Sequence, residues 1–460
     1  MERPNLIFVF ADQMRAFSCG YRDDADPVIT PHLDRFATQS TTLTHAVSNF
    51  PVCSPYRAML MTGCYPLRNG VTGNCNSQRP GMELRERDVC LTDALAGGGY
   101  SVGYIGKWHL EAPHEPFVMP VKPGGTAWNE YTPPHRRHGI GYWHGYNTYD
   151  NHLRPEYWIG DAPRDRRTVI DHWSPEHETD TAIRFLQDRS GAMRDTSKPF
   201  ALFVSHNPPH TPFHLVPRKY VERYGDAQPA DLLTRGNVDL HSDDPNARMA
   251  REHVKNHFAM VTGVDEQFGR LLAAVDELDL ADRTLVVFCS DHGEMMGSQN
   301  LMHKSVVYDE SFRVPFIVRM PGVVPQGRSD DLLLGAPDIA PTLLGLLGVA
   351  RPTGADWEGS DYSGLLRGHS GPRPESAYFI NCPARARGVR THRYTITRTL
   401  GQIRQDRGVD VPMPCVALFD NLDDPYQTRN LAEDRPAVVR DLDDLVQAWL
   451  RTTNDPWPDE

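Results

Sequence analysis

Polar residues are almost absent from three short runs, 6–10 (LIFVF), 200–204 (FALFV) and 284–289 (TLVVFC). Runs of this length without polar alternation fit strands covered on both faces, as in a parallel sheet. Further strands are expected at 100–105 and 314–318. Between them lie stretches of helical character at 30–40, 179–188, 252–278 and 337–347. Another, at 88–96, stops at Gly97-Gly98-Gly99, which suits a helix C-terminus. Strands alternating with helices predict an α/β fold with a large, mostly parallel sheet flanked by helices. After a Gly- and Pro-rich link at about 354–374 the pattern changes. Segments 377–381 and 389–397 alternate as antiparallel strands do, and 437–451 reads as a closing helix. The expected organisation is a large domain over 1–368 and a smaller C-terminal α+β subdomain, with an antiparallel sheet, over 369–460.

One stretch follows neither period. Residues 111–173 are rich in aromatics, histidine, proline and arginine, most densely at 135–147 (HRRHGIGYWHGYN). A long loop inside a compact domain is usually functional or disordered, and its aromatic content opposes disorder. Two readings stay open. The stretch forms a rim over a ligand site, with Trp143 facing a sugar or aryl ring and Arg136 and His138 facing anionic groups. Alternatively, it is an insertion packed on itself.

Length and charge narrow the field. The 460 residues can bury a large core, as two to three domain-sized units or as one large α/β domain with an appendage. No apolar run approaches the roughly 18 residues of a membrane span. The first ten residues have too short an apolar segment for a secretory signal and no small-residue cleavage site, so a cytoplasmic protein is expected. A net charge of −12 argues against nucleic acid or a membrane surface as partner and leaves homo-oligomers open. Eight cysteines without a C-x-x-C pair fit reduced thiols and not a disulfide framework or zinc finger.

The candidate chemistry follows the strand ends. Pro51 to Gly63 reads as a loop feeding a helix, with Cys53 at its start and Pro55 in the first turn. A helix N-terminus lowers a thiol's pKa and attracts anions, so Cys53 is a candidate nucleophile; the alternative is a buried core cysteine. Asp12 follows the first strand and Asp291-His292 follows the run at 284–289, where open α/β sheets hold ligands. Each alone also fits a turn or cap.

Cys53-Ser54-Pro55-Tyr56-Arg57, closing on Thr62-Gly63, resembles the signature C-x-P-S/A-R-x-x-x-L/M-T-G of type I sulfatases, a branch of the alkaline phosphatase superfamily. Tyr56 stands where Ser or Ala is usual. Gly99 to His109 resembles the second signature of that family, with Val102 replacing Ser or Thr. His303-Lys304-Ser305 matches its lysine motif, and 417–425 resembles its C-terminal hairpin. Asp12-Gln13 stands at the family's Asp-Asp, and Asp291-His292 where most members have Asp-Asn.

The resemblance implies an alkaline phosphatase-like fold and hydrolysis of a sulfate monoester of a carbohydrate or an aryl group. It implies formylglycine made from Cys53 by a maturing enzyme, and one divalent metal held by Asp12, Gln13, modified Cys53, Asp291 and His292. The mainly oxygen donor set suits calcium first, with magnesium or manganese as alternatives. It further implies that Arg57, Lys107 and Lys304 surround the transition state with positive charge, and that His210 or Lys304 protonates the leaving alcohol. His109 would hold and deprotonate the second hydroxyl of the formylglycine hydrate, while Asn74 would contact substrate. His206 is expected to be structural. Two rival readings remain: a phosphonate monoester hydrolase or phosphodiesterase of the same superfamily, and an inactive binding protein whose Cys53 is never oxidised.

Overall fold

The computed structural model describes residues 3–116, 118, 125–401, 403–404, 410–411 and 414–458. In chain order the main sheet comprises β1 (Asn5–Asp12), β2 (Thr41–Leu43), β3 (Ser101–Lys107), β4 (Tyr142–Tyr146), β5 (Glu156–Ile159), β6 (Thr168–Val169), β7 (Phe200–Pro209), β8 (Thr284–Ser290), β9 (Phe316–Arg319) and β10 (Arg328–Asp330). Across the sheet their order is β10-β2-β9-β8-β1-β7-β3-β4-β5-β6. The central strands β8, β1, β7, β3 and β4 run parallel, while β9 on one side and β5 and β6 on the other pair antiparallel.

The apolar runs are unbroken because both faces of the sheet are covered. Leu6, Phe8 and Phe10 of β1 enter one hydrophobic cluster, and Ile7, Val9 and Ala11 enter the other. Strand β8 repeats the division, with Leu285, Val287 and Cys289 against Val286 and Phe288. Period-two alternation between two dry layers removes every polar position. Helices Pro31–Thr38, Ser174–Gln187 and Pro245–Glu277 build one layer, and Cys53–Thr62, Leu91–Gly97 and Ala336–Leu347 the other.

Two expectations need correction. The stretch 111–173 is not devoid of strands: it supplies β4, β5 and β6 to the main sheet, with Tyr146, Tyr157 and Trp158 forming a small core of their own. The single strand expected at 389–397 is two, β12 (Ala386–Arg390) and β13 (Tyr394–Thr399), because Thr391 closes a turn: its N–H donates to the Tyr394 carbonyl and its hydroxyl accepts from Tyr394 N. In a separate antiparallel sheet β11 (Ala377–Asn381) pairs with β12, β12 with β13, and β13 with β16 (Val416–Asp420), while β14 (Ile403–Arg404) pairs with β15 (Asp410–Val411) in a short ribbon. Leu442, Val446 and Leu450 of helix Pro436–Thr452 join the cluster of the main sheet. The Arg387–Asp455 ion pair, with both side chains 0% exposed, ties the C-terminal tail to β12. Among the described residues no helix is long and apolar enough to cross a membrane.

Buried imidazoles give the fold a pH dependence. Burial, then His177 and Arg184, lower His144 to about 3, and burial lowers His257 to about 4. Unfolding restores the ordinary imidazole value near 6.5, so below that pH the unfolded chain binds more protons and stability falls as pH falls. For these two groups together the expected loss between pH 7 and pH 6 is about 1–1.5 kcal/mol. A urea midpoint that failed to drop over this interval would contradict the assignment.

Candidate active site

Four neighbouring parallel strands release their chains at one edge of the sheet. β1 ends at Asp12 and leads into Gln13, β8 leads into Asp291 and His292, β3 ends at Lys107 just before His109, and β7 leads into His210. Helix Cys53–Thr62 begins at the same edge, with Gly63 at φ 61° closing its far end. Side chains distant in sequence thus converge where open α/β sheets hold ligands.

Cys53 is 1% exposed, and its Sγ sits amid the cluster: 3.5 Å from Asp12 Oδ1, 3.2 Å from His292 Nε2, 3.6 Å from Lys304 Nζ and 4.0 Å from Lys107 Nζ. Donor atoms of Asp12, Cys53, Asp291 and His292 all lie within 4.8 Å of one another. Nδ1 of His292 faces the Gly293 carbonyl at 3.0 Å, which keeps the proton there and turns the Nε2 lone pair to the cluster. Two carboxylates, an imidazole nitrogen and the position of Sγ therefore fit a divalent cation. Burial raises Asp12, but Lys107, His210 and Arg57 outweigh it and hold its carboxyl well below the usual range. Burial and the adjacent Asp12 push Asp291 up to about 7.

The thiol departs from the sequence expectation. Burial, then Asp12, push Cys53 up to about 12 against the opposing pull of Lys107 and Lys304. At neutral pH it is a protonated thiol despite the helix N-terminus, and an unmodified Cys53 is a poor nucleophile.

Arg57 is 1% exposed and braces the site. Its Nη1 donates to the Lys107 carbonyl at 2.7 Å and to Ser205 Oγ at 2.8 Å, its Nη2 to Asp12 at 3.0 Å, and its Nε to Asp291 at 3.2 Å. With these donors engaged, Arg57 affects the reacting centre through the carboxylates it holds. Lys107 Nζ lies 2.7 Å from Asp12 and donates to Asn207 Oδ1 at 3.0 Å. Lys304 Nζ donates to Gln13 Oε1 at 2.9 Å, while the Gln13 amide nitrogen donates to Glu294. Neither ring nitrogen of His109 has a hydrogen-bond partner, although the residue is 2% exposed. Burial, then Lys107, keep that imidazole well below its ordinary pKa.

Residues 4–349 match the family model described as Sulfatase, and 297–450 match the one described as N-sulphoglucosamine sulphohydrolase, C-terminal. An endo-4-O-sulfatase of Bacteroides thetaiotaomicron is 39% identical over 99% of this chain and 93% of its own length. The chain belongs to the sulfatase family. An ulvan-active sulfatase of Formosa agariphila is 34% identical, over 93% of this sulfatase and 77% of its own length. A solved chain titled for the metabolism of multiple glycosaminoglycans by Bacteroides thetaiotaomicron superposes with a TM-score of 0.88 at 37% identity, covering 99% and 98% of the two chains. The sulfatase is a hydrolase of sulfate esters, with the mixed sheet of its relatives.

Not every expected contact residue of the sulfatase reaches this centre. Trp143, 1% exposed, stacks on Tyr104 at 5.6 Å and meets Trp108 edge-on, so it is a core residue and not part of a rim. His138 bonds Asp93 at 3.1 Å beside the helix Leu91–Gly97, and Arg136 is tied to Glu111 at 2.8 Å and Glu83 at 3.2 Å. Asn74 is close, but its Oδ1 accepts from Ser54 N at 3.1 Å and so holds the start of the Cys53 helix. His206 is structural, with Nδ1 2.7 Å from the buried Glu178. Two site residues were missed: Asn207 and Glu294. Asn207, one position beyond His206 in a buried strand, was the more accessible to sequence reasoning, since a polar side chain in an apolar run needs a partner.

Proposed function

We propose that the enzyme removes a sulfate group from a sugar ring of a glycosaminoglycan-like carbohydrate, using formylglycine made from Cys53 and one divalent cation, with calcium preferred to magnesium or manganese. The observation that carries this reading is the convergence of Asp12, Asp291, His292, Lys107 and Lys304 on the single sulfur of Cys53. That sulfur stands in for a hydrate oxygen. The hydrate would supply the nucleophile, and a cation held by Asp12, Asp291 and His292 would supply positive charge for the sulfuryl oxygens. The sugar reading draws on the relatives named for a 4-O-sulfatase and for glycosaminoglycan metabolism.

The residues divide the remaining work. Lys107, fixed by Asp12 and Asn207, presents an ammonium to the sulfuryl group. His109 is a neutral buried imidazole with both nitrogens open, suited to take the proton of the second hydroxyl. His210 donates from Nδ1 to the Thr211 carbonyl at 2.8 Å, and burial and Lys304 keep it neutral. The ammonium of Lys304 is therefore the better proton donor to the leaving alcohol. Gln13 steadies Lys304 through its oxygen, and Glu294 orients that amide by accepting from its nitrogen.

The test is the ratio of kcat/KM for an aryl sulfate to that for the matching aryl phosphonate monoester, with protein whose Cys53 is confirmed as oxidised. The expected ratio strongly favours sulfate. A reversed ratio would assign Gln13 and His292 to phosphonate chemistry.

A further inference from the structure

Trp128 is the largest aromatic side chain left substantially open near the reacting centre, 38% exposed, although its backbone is firmly held. Asn147 Nδ2 donates to the Trp128 carbonyl at 2.8 Å, and Asn147 N to Asn129 Oδ1 at 3.1 Å. The preceding Ala127 exchanges bonds with Ser77, accepting from Ser77 N at 3.0 Å and donating to Ser77 Oγ at 2.9 Å. The indole lies 6.0 Å from the His109 ring at 66°. A large apolar ring on a fixed backbone, beside an unpartnered catalytic-site imidazole, is a ready platform for the face of a sugar.

The Ser77 linkage brings a second residue to this rim. Arg79 donates to the Asn74 carbonyl at 3.3 Å, and Asn74 in turn caps Ser54, next to Cys53. Arg79 is half-buried, and among the described residues no carboxylate pairs with it. The neighbouring arginines differ: Arg85 pairs with Asp88, Arg136 with Glu111 and Glu83, and Arg164 with Glu130. On the His210 side of the site the exposed charge is negative, because Asp150 lies 3.6 Å from His210 Nδ1 and is 49% exposed. An acidic group on the substrate is therefore drawn to the Arg79 side.

Building on the sugar reading above, we propose that Trp128 and Arg79 form the leaving-group subsite. Trp128 stacks against the sulfated pyranose, and Arg79 pairs with the carboxylate of an adjoining uronic acid. A lone aryl or alkyl sulfate engages at most the indole, so the pair selects an acidic oligosaccharide.

The experiment compares four probes: p-nitrophenyl sulfate, a 4-O-sulfated N-acetylhexosamine, that sugar joined to a uronic acid, and the methyl ester of the same disaccharide. Arg79→Gln is expected to raise KM for the acidic disaccharide about 10–100-fold, the range of one charge-assisted contact, with kcat nearly unchanged. It should leave the monosaccharide and the methyl ester within about 2-fold of the parent, and Arg79→Lys should recover part of the loss. Trp128→Ala should raise KM about 10-fold for all three sugars. A uniform change across the four probes, or none, overturns the subsite. Failure of the oxidised parent to cleave any of the sugars, with p-nitrophenyl sulfate still hydrolysed, overturns the sugar reading itself.

Discussion

Cys53→Ala is expected to reduce sulfate-ester turnover to below about one part in 10⁴ of the parent rate while leaving the fold intact. The thiol lies at the meeting point of Asp12, His292, Lys304 and Lys107, so its removal deletes the atom on which all of them act. Little else is lost. Cys53 opens its helix, which is held independently by the Asn74 bond to Ser54 and by Arg57 within the first turn and a half. Arg57, Lys107 and Lys304 remain in the variant, so binding of inorganic sulfate should persist. Turnover by the variant above a small percentage of the parent rate would place the nucleophile elsewhere. Oxidation is read separately, from the mass of the peptide that contains Cys53 in the parent.

Arg57→Ala should fail in two measurable ways. It leaves the carboxylates of Asp12 and Asp291, both 0% exposed, without their shared counter-charge, a change that typically costs about 3–5 kcal/mol of stability. It also frees the Lys107 carbonyl and Ser205 hydroxyl, so the lysine proposed to face the sulfuryl group loses its brace, and kcat should fall by about 10²–10³-fold. Arg57→Lys recovers one charge but not the fork that spans both acids, and its deficit should stay large. Denaturation with and without added calcium distinguishes this account from simple core damage. A cation between the same carboxylates should offset much of the loss. An equal calcium response in parent and variant would contradict it.

The sheet and the reacting edge were legible because burial on both faces leaves a plain mark on a strand. β1, β7 and β8 announce themselves as apolar runs, and the polar residues at their ends are then conspicuous. β4 was illegible for the opposite reason. Its residues Tyr142-Trp143-His144-Gly145-Tyr146 mix rings with polar tips, and their order does not show that Trp143 is sandwiched while Asn147 is bonded inward. Arginine was misread in the same way: Arg136, expected to face anionic groups of a ligand, closes instead on Glu111 and Glu83. The pKa of Cys53 is raised first by burial and then by Asp12, which is 41 positions away in the chain, so helix position alone gave the wrong direction.

The enclosure of Cys53 also sets a clock. Its partners His292 and Lys304 lie 239 and 251 residues further along the chain. At ribosomal speeds of about 5–20 residues per second, roughly 10–50 s pass between synthesis of the cysteine and arrival of the residues that seal it. On the proposal that Cys53 is oxidised to formylglycine, the oxidising enzyme would have that interval, extended by the slow closure of long-range strand pairings, and would afterwards face a thiol that is 1% exposed. The active fraction of a preparation would then be decided by a race during synthesis. Under that proposal, chains that close first would be well folded and stable but would keep an unmodified, enclosed thiol in place of the nucleophile.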